Sequence, residues 1–597
     1  MNEGAADDRR GRHSAAEAWR RALEATAPIA DNPSITLPVV IEELATRFGS
    51  APALVSETET LSFRGLADRV DRYARWALAQ GVEAGDVVAL LLPNCPDYLA
   101  IWLGITRVGG VVALINTNLV GAALKHSLEI VAPRQIVVGA ALIDAMAPVL
   151  PQLDPGIGAW VHGGEGLDLP RIDVETGGML NSSGFRAPSI RDRALYIYTS
   201  GTTGLPKAAS VSHYRLMQWT RWFAGLIDPQ PSDRMYNCLP MYHSVGGVVA
   251  TGAALLGGGS VLIRERFSAS RFWDDIADWD CTLFQYIGEL CRYLVNTAPH
   301  PRETQHKLRL CCGNGLRPDV WEPFQKRFHI PRILEFYAAT EGPFSLFNCE
   351  GKPGAIGKIP PFLAHRFPVA LIKFDIEAGE PVRNDDGYCV RCAADEPGEA
   401  IGQLPDDRTT LRGQFEGYTD KTASEQKVLR NVFAAGDSWY RTGDLMRRDR
   451  TGYYYFVDRI GDTFRWKGEN VSTTEIGEAV ALCPGVVEAV VYGVAVPGAD
   501  GRAGMAAIVT GEGFDLGRLH AHLAERLPDY AWPVFLRIRE AIDITGTFKP
   551  QKQALLRDGC DPGATDDAMY LNDRSAGAFV PLDAALYARI HSGDLRL

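Results

Sequence analysis

The sequence is poor in cysteine, and its cysteines show no paired spacing. Only 11 of the 597 residues are cysteine, and they are scattered along the chain. This usage argues against a disulfide framework and predicts reduced thiols in a cytosol-like compartment. Cys389 and Cys392 form a lone Cys-x-x-Cys pair without a second pair or neighbouring histidines, so we interpret them as structural thiols rather than zinc ligands.

Positive charge is not in excess. The 61 lysines and arginines are outnumbered by 73 acidic residues, which gives a formal net charge of -12. Without a dominant basic face the chain is not expected to bind nucleic acid. The short basic run at residues 447–450 is followed by a glycine and an aromatic strand, which favours a solvated turn.

The chain also lacks a clear apolar run of membrane-spanning length. Residues 98–119 are interrupted by Arg107 and two glycines, and residues 246–263 contain six glycines. Both stretches are better interpreted as buried helix-turn-strand units. Residues 1–38 have no apolar core of secretory length, so we expect a cytoplasmic protein, with peripheral membrane contact left open.

The length and the apolar periodicity predict two domains. A chain of 597 residues exceeds the size of one hydrophobic core, and helical and strand patterns alternate from residue 63 onwards. That alternation predicts an α/β fold with a mostly parallel sheet and helices on both faces. Residues 148–188 are expected to form a long surface connection. Near residue 458 the pattern changes to short strands and helices, so we predict a large domain at residues 1–458 and a smaller α+β domain at residues 459–597.

The most informative segment is residues 199–208, Thr-Ser-Gly-Thr-Thr-Gly-Leu-Pro-Lys-Ala, which follows an apolar run. Glycines let backbone N–H groups converge on an anion, hydroxyls add donors, and Lys207 supplies a mobile positive charge. The pattern predicts a phosphate-binding loop. It is not a Walker loop, because Leu205 and Pro206 separate Lys207 from the last glycine. A solvated turn rich in serine and threonine is the alternative.

This loop resembles the phosphate loop of the adenylate-forming superfamily, which includes acyl-CoA synthetases, luciferases and peptide-synthetase adenylation domains. Four further stretches resemble motifs of that superfamily in the same order: Tyr-Ala-Ala-Thr-Glu at 337–341, Tyr-Arg-Thr-Gly-Asp at 440–444, Asp-Arg-Ile-Gly-Asp at 458–462 and Gly-Thr-Phe-Lys at 546–549. In the stretch at 458–462, many members have Asp or Lys two residues after the arginine, where this chain has Gly461. The wide φ range of glycine suits a pivot.

The resemblance implies a role for single residues. Implied catalytic residues are Thr199, Lys207, His243, Glu341 and Lys549, with Glu341 also holding Mg²⁺. Implied nucleotide- and CoA-binding residues are Ser200, Gly201, Thr202, Thr203, Gly204, Tyr337, Thr340, Asp444, Arg459 and Gly468. In this assignment Tyr337 packs on adenine and Asp444 accepts hydrogen bonds from both ribose hydroxyls. For His243, an ordinary structural histidine is an equally good interpretation.

Longer phrases narrow the resemblance to the branch of fatty acid transport proteins and very-long-chain acyl-CoA synthetases. They lie at residues 267–273, 285–293, 461–474, 580–583 and 592–597. Within them, Trp466 is expected either to stack on CoA or nucleotide or to pack between domains. Gly313-Asn314-Gly315 resembles the loop beside adenine, although glycines there also let strands approach.

The resemblance implies an ATP-dependent synthetase that activates a long- or very-long-chain fatty acid as acyl-AMP, releases pyrophosphate and transfers the acyl group to CoA. It also implies that the C-terminal domain rotates between the two half-reactions. The implied ligands are ATP, Mg²⁺, CoA and a fatty acid. A fatty acyl-AMP ligase that loads a carrier protein and a fatty-acid uptake or binding protein stay as alternatives. The sequence does not determine the acyl chain length, the oligomeric state or membrane attachment, because an acyl tunnel is lined by ordinary apolar side chains.

Overall fold

The computed structural model describes residues 14–174, 185–199, 205–407, 409–497, 499, 501–546, 549–595 and 597. The backbone divides into two compact units. Unit 1 comprises Met1–Gly357 and Leu404–Val428, and unit 2 comprises Lys358–Gln403 and Leu429–Leu597. Residues 358–403 and 429–458 thus group with the C-terminal part of the chain, whereas the functional division at residue 458 stays a prediction.

Two largely parallel sheets form the framework of unit 1. Its strands are β1 (Pro52–Val55), β2 (Thr60–Ser62), β3 (Val87–Leu91), β4 (Val111–Leu114), β5 (Gln135–Gly139), β6 (Gly158–His162), β7 (Arg193–Thr199), β8 (Lys207–Ser212), β9 (Arg234–Asn237), β10 (Ser260–Ile263), β11 (Leu283–Ile287), β12 (Leu310–Asn314), β13 (Ile333–Ala338) and β14 (Ser345–Asn348). One sheet has the order β14-β13-β12-β11-β9-β10-β1-β2, and the other has the order β6-β5-β3-β4-β7-β8. Apart from the edge pairs β1–β2, β13–β14 and β7–β8, neighbouring strands run parallel.

Helices connect these strands, as the alternating pattern predicts. They are α1 (Ala15–Thr26), α2 (Leu37–Phe48), α3 (Phe63–Ala79), α4 (Pro96–Arg107), α5 (Gly121–Glu129), α6 (Ile143–Met146), α7 (His213–Ile227), α8 (Ala250–Leu256), α9 (Phe272–Asp278), α10 (Gly288–Asn296), α11 (Pro318–Arg327) and α12 (Lys421–Gln426). Helix α3 shows why the pattern works. Ser62 caps its first turn by accepting a hydrogen bond from Gly65 N, and Leu66, Val70 and Tyr73 bury one face at helical spacing.

The glycine-interrupted apolar stretches are buried units, as predicted. Residues 98–119 contain most of α4 and all of β4, and residues 246–263 contain most of a π-helix (Val245–Val249), α8 and β10. Among the described residues, no helix combines the length and the apolar character needed to cross a membrane.

The prediction that residues 148–188 form a long surface connection is wrong in part, and residues 175–184 of this span lie outside the described residues. Strand β6 lies within it and pairs in parallel with β5. Trp160 packs edge-on against Trp76, with ring centroids 5.4 Å apart, and its indole N–H donates to Gln135. Because β6 is an edge strand whose residues are mostly half-buried, it carries no alternating pattern for sequence reasoning to detect.

A mixed sheet with helices dominates unit 2. The strands of this unit and its borders are β15 (Gly357–Lys358), β16 (Val369–Ile372), β17 (Phe374–Asp375), β18 (Glu380–Pro381), β19 (Gly398–Gln403), β20 (Val428–Arg430), β21 (Ser438–Arg448), β22 (Tyr453–Arg459), β23 (Phe464–Trp466), β24 (Glu469–Val471), β25 (Val486–Ala495), β26 (Arg502–Thr510), β27 (Phe535–Arg539), β28 (Ala568–Asp573) and β29 (Ala578–Pro581). Its helices are α13 (Thr473–Ala481), α14 (Leu516–Arg526), α15 (Gln553–Asp558) and α16 (Ala584–His591).

Strands β25 to β29 form a five-stranded sheet in chain order, with β26 and β27 parallel and the other pairs antiparallel. Ile476 and Val480 of α13, Leu519 and Leu523 of α14, and Phe535 of β27 are buried in one core cluster. Strands β22, β21, β19 and β16 pair in that order as a second, antiparallel sheet. The predicted fold class, parallel α/β sheets followed by a smaller α+β part, is confirmed.

Candidate active site

The predicted phosphate loop joins two antiparallel strands of unit 1. Strand β7 ends at Thr199 and β8 begins at Lys207, and these two residues are directly opposite each other in the strand register. The predicted residues between them, Ser200, Gly201, Thr202, Thr203 and Gly204, lie outside the residues that the structure describes. The structure therefore brings the hydroxyl of Thr199 and the lysine of the motif to one edge of the sheet.

The second motif begins at the carboxyl end of β13. Tyr337 lies in the strand, and its ring packs edge-on against Phe344 with a centroid distance of 5.6 Å. Thr340 and Glu341 follow in the connection to β14, where Glu341 is 8% exposed. Ligand-binding residues of open parallel sheets lie at this end of the strands.

Tyr418, which sequence reasoning missed, connects the two motifs. Its hydroxyl donates to Glu341 Oε1 at 2.6 Å and also interacts with the side chain of Thr199. Lys427 Nζ lies 4.0 Å from the same carboxylate oxygen. Burial, followed by the neighbouring Glu341 charge, raises the pKa of Tyr418, so the phenol stays protonated and acts as a donor.

His243 lies near the second motif. The hydroxyls of its neighbour Ser244 and of Thr340 are 3.3 Å apart. A π-helix starts at Val245, and a Cβ atom on Gly247 would lie 2.0 Å from the Met241 carbonyl oxygen, so glycine is required there. Single π-turns of this kind are frequent at functional sites.

The Gly-Asn-Gly stretch ends β12 beside the strand that carries Tyr337. A Cβ atom on Gly313 would lie 2.2 Å from the Tyr286 carbonyl oxygen, and Gly315 has φ +78°. Close approach of strands and a left-handed turn therefore explain these glycines structurally. The next residue, Leu316, donates its N–H to the buried carboxyl of Glu335 at 3.1 Å.

In unit 2, the residues of the third and fourth motifs face each other. Asp444 on β21 and Arg459 on β22 are partners in the strand register, with 3.8 Å between Arg459 Nε and Asp444 Oδ1. Asp444 N donates to Thr442 Oγ1, whose hydroxyl donates to the Ala400 carbonyl at 2.7 Å. The Asp444 side chain is 14% exposed and that of Arg459 is 49% exposed, so the carboxylate is largely shielded while the guanidinium reaches solvent.

Lys549 is exposed and belongs to a loop in unit 2 that Thr545 closes. Lys549 N donates to Thr545 Oγ1 at 3.0 Å, and Thr545 N donates to the Lys549 carbonyl at 2.7 Å. Thr547 and Phe548 of the same motif lie outside the described residues.

Gly468 forms the turn of the β23–β24 hairpin. Lys467 and Gly468 have φ values of +52° and +87°, the combination that a two-residue turn with two left-handed residues requires. Beyond its two neighbours in the chain, no atom of the described residues lies within 4 Å of a Cβ added to Gly468. Trp466, in the same hairpin, is 1% exposed and belongs to the core cluster of unit 2, so packing within its own unit explains it better than either predicted role.

The donor chemistry around Glu341 fits magnesium. Mg²⁺ is usually held by one or two carboxylates together with phosphate oxygens and water. Glu341 supplies a carboxylate beside the hydroxyl-bearing end of β7, and within the described residues no group of three or more His, Cys, Asp or Glu side chains is arranged as a metal site.

The 11 cysteines are free and nine are buried, including Cys389, as expected for structural thiols.

Solved structures share this fold at low sequence identity. The anthranilate CoA ligase AuaEII, solved with anthranoyl-AMP, matches with a TM-score of 0.75 at 20% identity, covering 88% of this chain and 98% of that one. ATP-bound MatB from Rhodopseudomonas palustris matches with a TM-score of 0.71 at 22% identity, covering 87% of this chain and 98% of MatB. A Mycobacterium tuberculosis fatty acyl CoA synthetase matches with a TM-score of 0.60 at 22% identity, again covering 87% of this chain and 98% of the other.

Family models and curated relatives match the chain more specifically. The model for AMP-binding enzymes matches residues 41–387, and the model for their C-terminal domain matches residues 475–549. Long-chain fatty acid transport protein 1 of Mus musculus is 40% identical over 575 residues, 94% of this chain and 88% of the relative. Long-chain fatty acid transport protein 2 of Rattus norvegicus is 38% identical over 577 residues, 95% and 92% of the two chains. The chain therefore belongs to the adenylate-forming AMP-binding enzyme family and, within it, to the long-chain fatty acid transport protein group.

Proposed function

We propose that the protein is an ATP-dependent long- or very-long-chain fatty acyl-CoA synthetase. The observation that carries this proposal is the arrangement in unit 1, where Thr199 lies opposite Lys207 and connects through Tyr418 to Glu341. Membership of the long-chain fatty acid transport protein group supports a fatty acid as the carboxylate substrate. The ATP- and acyl-AMP-bound structures of the same fold support nucleotide chemistry.

Activation with ATP solves a chemical problem. A carboxylate is a poor electrophile, and its condensation with a thiol is uphill. In the first half-reaction the fatty carboxylate attacks the α-phosphorus of ATP and pyrophosphate leaves, which gives acyl-AMP. Negative charge develops around the α-phosphate, and preorganised donors and cations stabilise it.

Each motif receives one role in that step. Thr199, Lys207 and the loop between them hold the phosphates. Glu341 would hold Mg²⁺, which when bound neutralises phosphate charge. The compact ammonium of Lys549 on its flexible stem stabilises the transition state at the α-phosphate and carboxylate oxygens.

The remaining residues orient the nucleotide. Asp444, whose backbone N–H donates to Thr442 and whose carboxylate faces Arg459, accepts hydrogen bonds from both ribose hydroxyls. Tyr337, whose ring is fixed by Phe344, supplies a face for adenine. Thr340 is assigned to the α-phosphate.

In the second half-reaction the CoA sulfur attacks the acyl carbonyl and AMP leaves. We assign the Lys467-Gly468 turn to this step. The open space around Gly468 would let the backbone approach the extended arm of CoA without a side chain in the way. Lys549 has no role in this half-reaction.

The test is pyrophosphate release with ATP and Mg²⁺ across saturated fatty acids of increasing length, with and without CoA, with product masses recorded. Acyl-CoA that peaks at long chains supports the proposal. Acyl-AMP that passes to a carrier protein but never to CoA would identify an acyl-AMP ligase. Fatty-acid binding without pyrophosphate release would identify an uptake or binding protein.

A further inference from the structure

Residues 414–419, which we call the flanking segment, run beside the strand that follows the phosphate loop. Ser210 N donates to the Gly417 carbonyl at 2.9 Å, and Thr419 N donates to the Ala208 carbonyl at 3.0 Å. Tyr418 thereby forms an antiparallel bridge with Ala209 of β8. The flanking segment lies within residues 404–428, which belong to unit 1, whereas residues 358–403 and 429–597 belong to unit 2.

Tyr418 is fixed at both its backbone and its side chain. Its N–H donates to Ser424 Oγ at 2.9 Å, and its hydroxyl donates to Glu341 Oε1 at 2.6 Å. Hydrogen bonds to an ionised acceptor are stronger than those between neutral groups. The phenol therefore restricts the rotamers of the Glu341 carboxylate.

A second contact from the flanking segment reaches the backbone on both sides of Glu341. Glu416 Oε1 accepts a hydrogen bond from the guanidinium of Arg215 at 3.2 Å. Arg215, 7% exposed, donates to the carbonyl of Thr340 at 2.9 Å and to that of Gly342 at 3.3 Å. The same guanidinium donates to the Gln414 carbonyl at 2.7 Å.

Glu416 also contacts the start of α7. Its carboxylate accepts hydrogen bonds from Ser212 N at 2.6 Å and from Ser212 Oγ at 2.7 Å. Ser212 caps the helix that carries Arg215 and ends the strand that begins at Lys207. The side chain and the backbone of Glu341 are thus connected to the phosphate-loop strand by two separate routes.

We propose that Tyr418 and Arg215 are positioning residues that hold the Glu341 carboxylate ready for a metal–nucleotide complex. This inference rests on the proposed function, because it takes Glu341 as the metal ligand. Partners of metal ligands orient them before the metal arrives, and their loss typically lowers metal affinity by about 10- to 100-fold. Neither residue needs to contact the metal or the substrate.

The test is Tyr418→Phe, which keeps the ring and removes only the donor. ATP binding is measured by calorimetry without fatty acid or CoA, across Mg²⁺ concentrations and in EDTA. We expect the Mg²⁺ concentration for half-maximal ATP binding to rise about tenfold, with ATP binding in EDTA unchanged. The matched control is Tyr214→Phe, whose hydroxyl accepts a hydrogen bond from Gln218 one helical turn away, and it should match the wild type.

Glu416→Gln provides the second variant, because replacing the buried Arg215 risks misfolding. It removes the charge that pairs with Arg215, so the unfolding temperature in EDTA should fall, while the protein stays folded at the assay temperature and its Mg²⁺ requirement rises. Unchanged Mg²⁺ dependence in Tyr418→Phe, or equal loss of ATP binding with and without metal, would overturn the proposal. So would a wild type whose ATP binding does not depend on Mg²⁺. A wild type that binds Mg²⁺-ATP but makes no acyl-CoA would contradict the proposed function alone.

Discussion

At the scale of single residues, the buried carboxyl of Glu335 makes the stability of the protein depend on pH. It is 1% exposed and accepts hydrogen bonds from the Tyr286 hydroxyl and Leu316 N. Burial raises its pKa from an ordinary 4.5 to about 8. Between these two values the folded chain keeps a proton that the unfolded chain has lost. Stability therefore falls as pH rises through this window, by up to about 1.4 kcal/mol per pH unit from this group.

Glu335→Gln removes the titration and should flatten the dependence of the free energy of unfolding on pH between about 5 and 8. Urea unfolding at several pH values measures this slope. Glu83→Gln, at an exposed position, is the control and should keep the wild-type slope. An unchanged slope in Glu335→Gln would show that this carboxyl is ionised throughout the range.

The proposed ribose contact of Asp444 can be tested with the nucleotide itself. In the wild type, 2′-deoxy-ATP loses one hydrogen bond to a carboxylate, so its kcat/KM should be about 10- to 100-fold lower than that of ATP. In Asp444→Asn the difference between the two nucleotides should shrink, because the carboxylate that distinguishes them is gone. Asp395→Asn, at a side chain that is 52% exposed, should keep the discrimination. Equal discrimination in all three proteins would place the ribose elsewhere.

Two pairs of opposed residues belong to motifs that can be recognised in the sequence: Asp444 with Arg459, and Thr199 with Lys207. Such motifs concentrate hydroxyls, glycines and charges in short loops, which is why their chemistry can be predicted. Tyr418 could not be predicted, because its position depends on a bridge to Ala209 across more than two hundred residues of chain. Nothing in the spacing or composition of residues 414–419 indicates that bridge.

At the scale of elements, helix α3 was predictable from its apolar spacing, but how closely α4 packs against it was not. A Cβ atom on Gly104 of α4 would lie 2.6 Å from the Val70 carbonyl oxygen and 2.7 Å from Tyr73 Cβ on α3. The two helices can approach this closely only because the residue is glycine. Sequence periodicity shows which face is buried, whereas the contact distance depends on side chains from both elements.

Gly104→Ala should therefore destabilise the protein by about 1–3 kcal/mol, because the backbone of α3 must move to admit a methyl group. The matched control is Gly477→Ala in α13, where the nearest atom to an added Cβ is 3.9 Å away. That change should stabilise by about 0.5–1 kcal/mol through helix propensity. Free energies of unfolding from urea titrations measure both effects, and effects of the same sign would contradict the packing argument.

At the scale of the whole molecule, the proposed reaction needs different elements of unit 2 for its two halves. Lys549 lies in an exposed loop closed by Thr545, so Lys549→Ala should leave the fold intact. Loss of a charge that stabilises a transition state typically costs about 3 kcal/mol or more. We therefore expect pyrophosphate release to fall at least about 100-fold, while supplied acyl-AMP and CoA still give thioester at the wild-type rate.

Gly468→Ala should show the reverse pattern. Within the described part of the chain the added methyl group meets no atom within 4 Å, so the expected cost to the fold is backbone strain at φ +87°, about 1 kcal/mol. Thioester formation from supplied acyl-AMP should fall about tenfold, since small displacements in a reacting complex are costly, with pyrophosphate release unchanged. For Lys549→Ala, the control for loss of a surface charge is Lys307→Ala, at a lysine in unit 1 whose side chain is 68% exposed. If Lys549→Ala lowers both half-reactions by the same factor, one element serves both, and the assignment of separate roles within unit 2 is wrong.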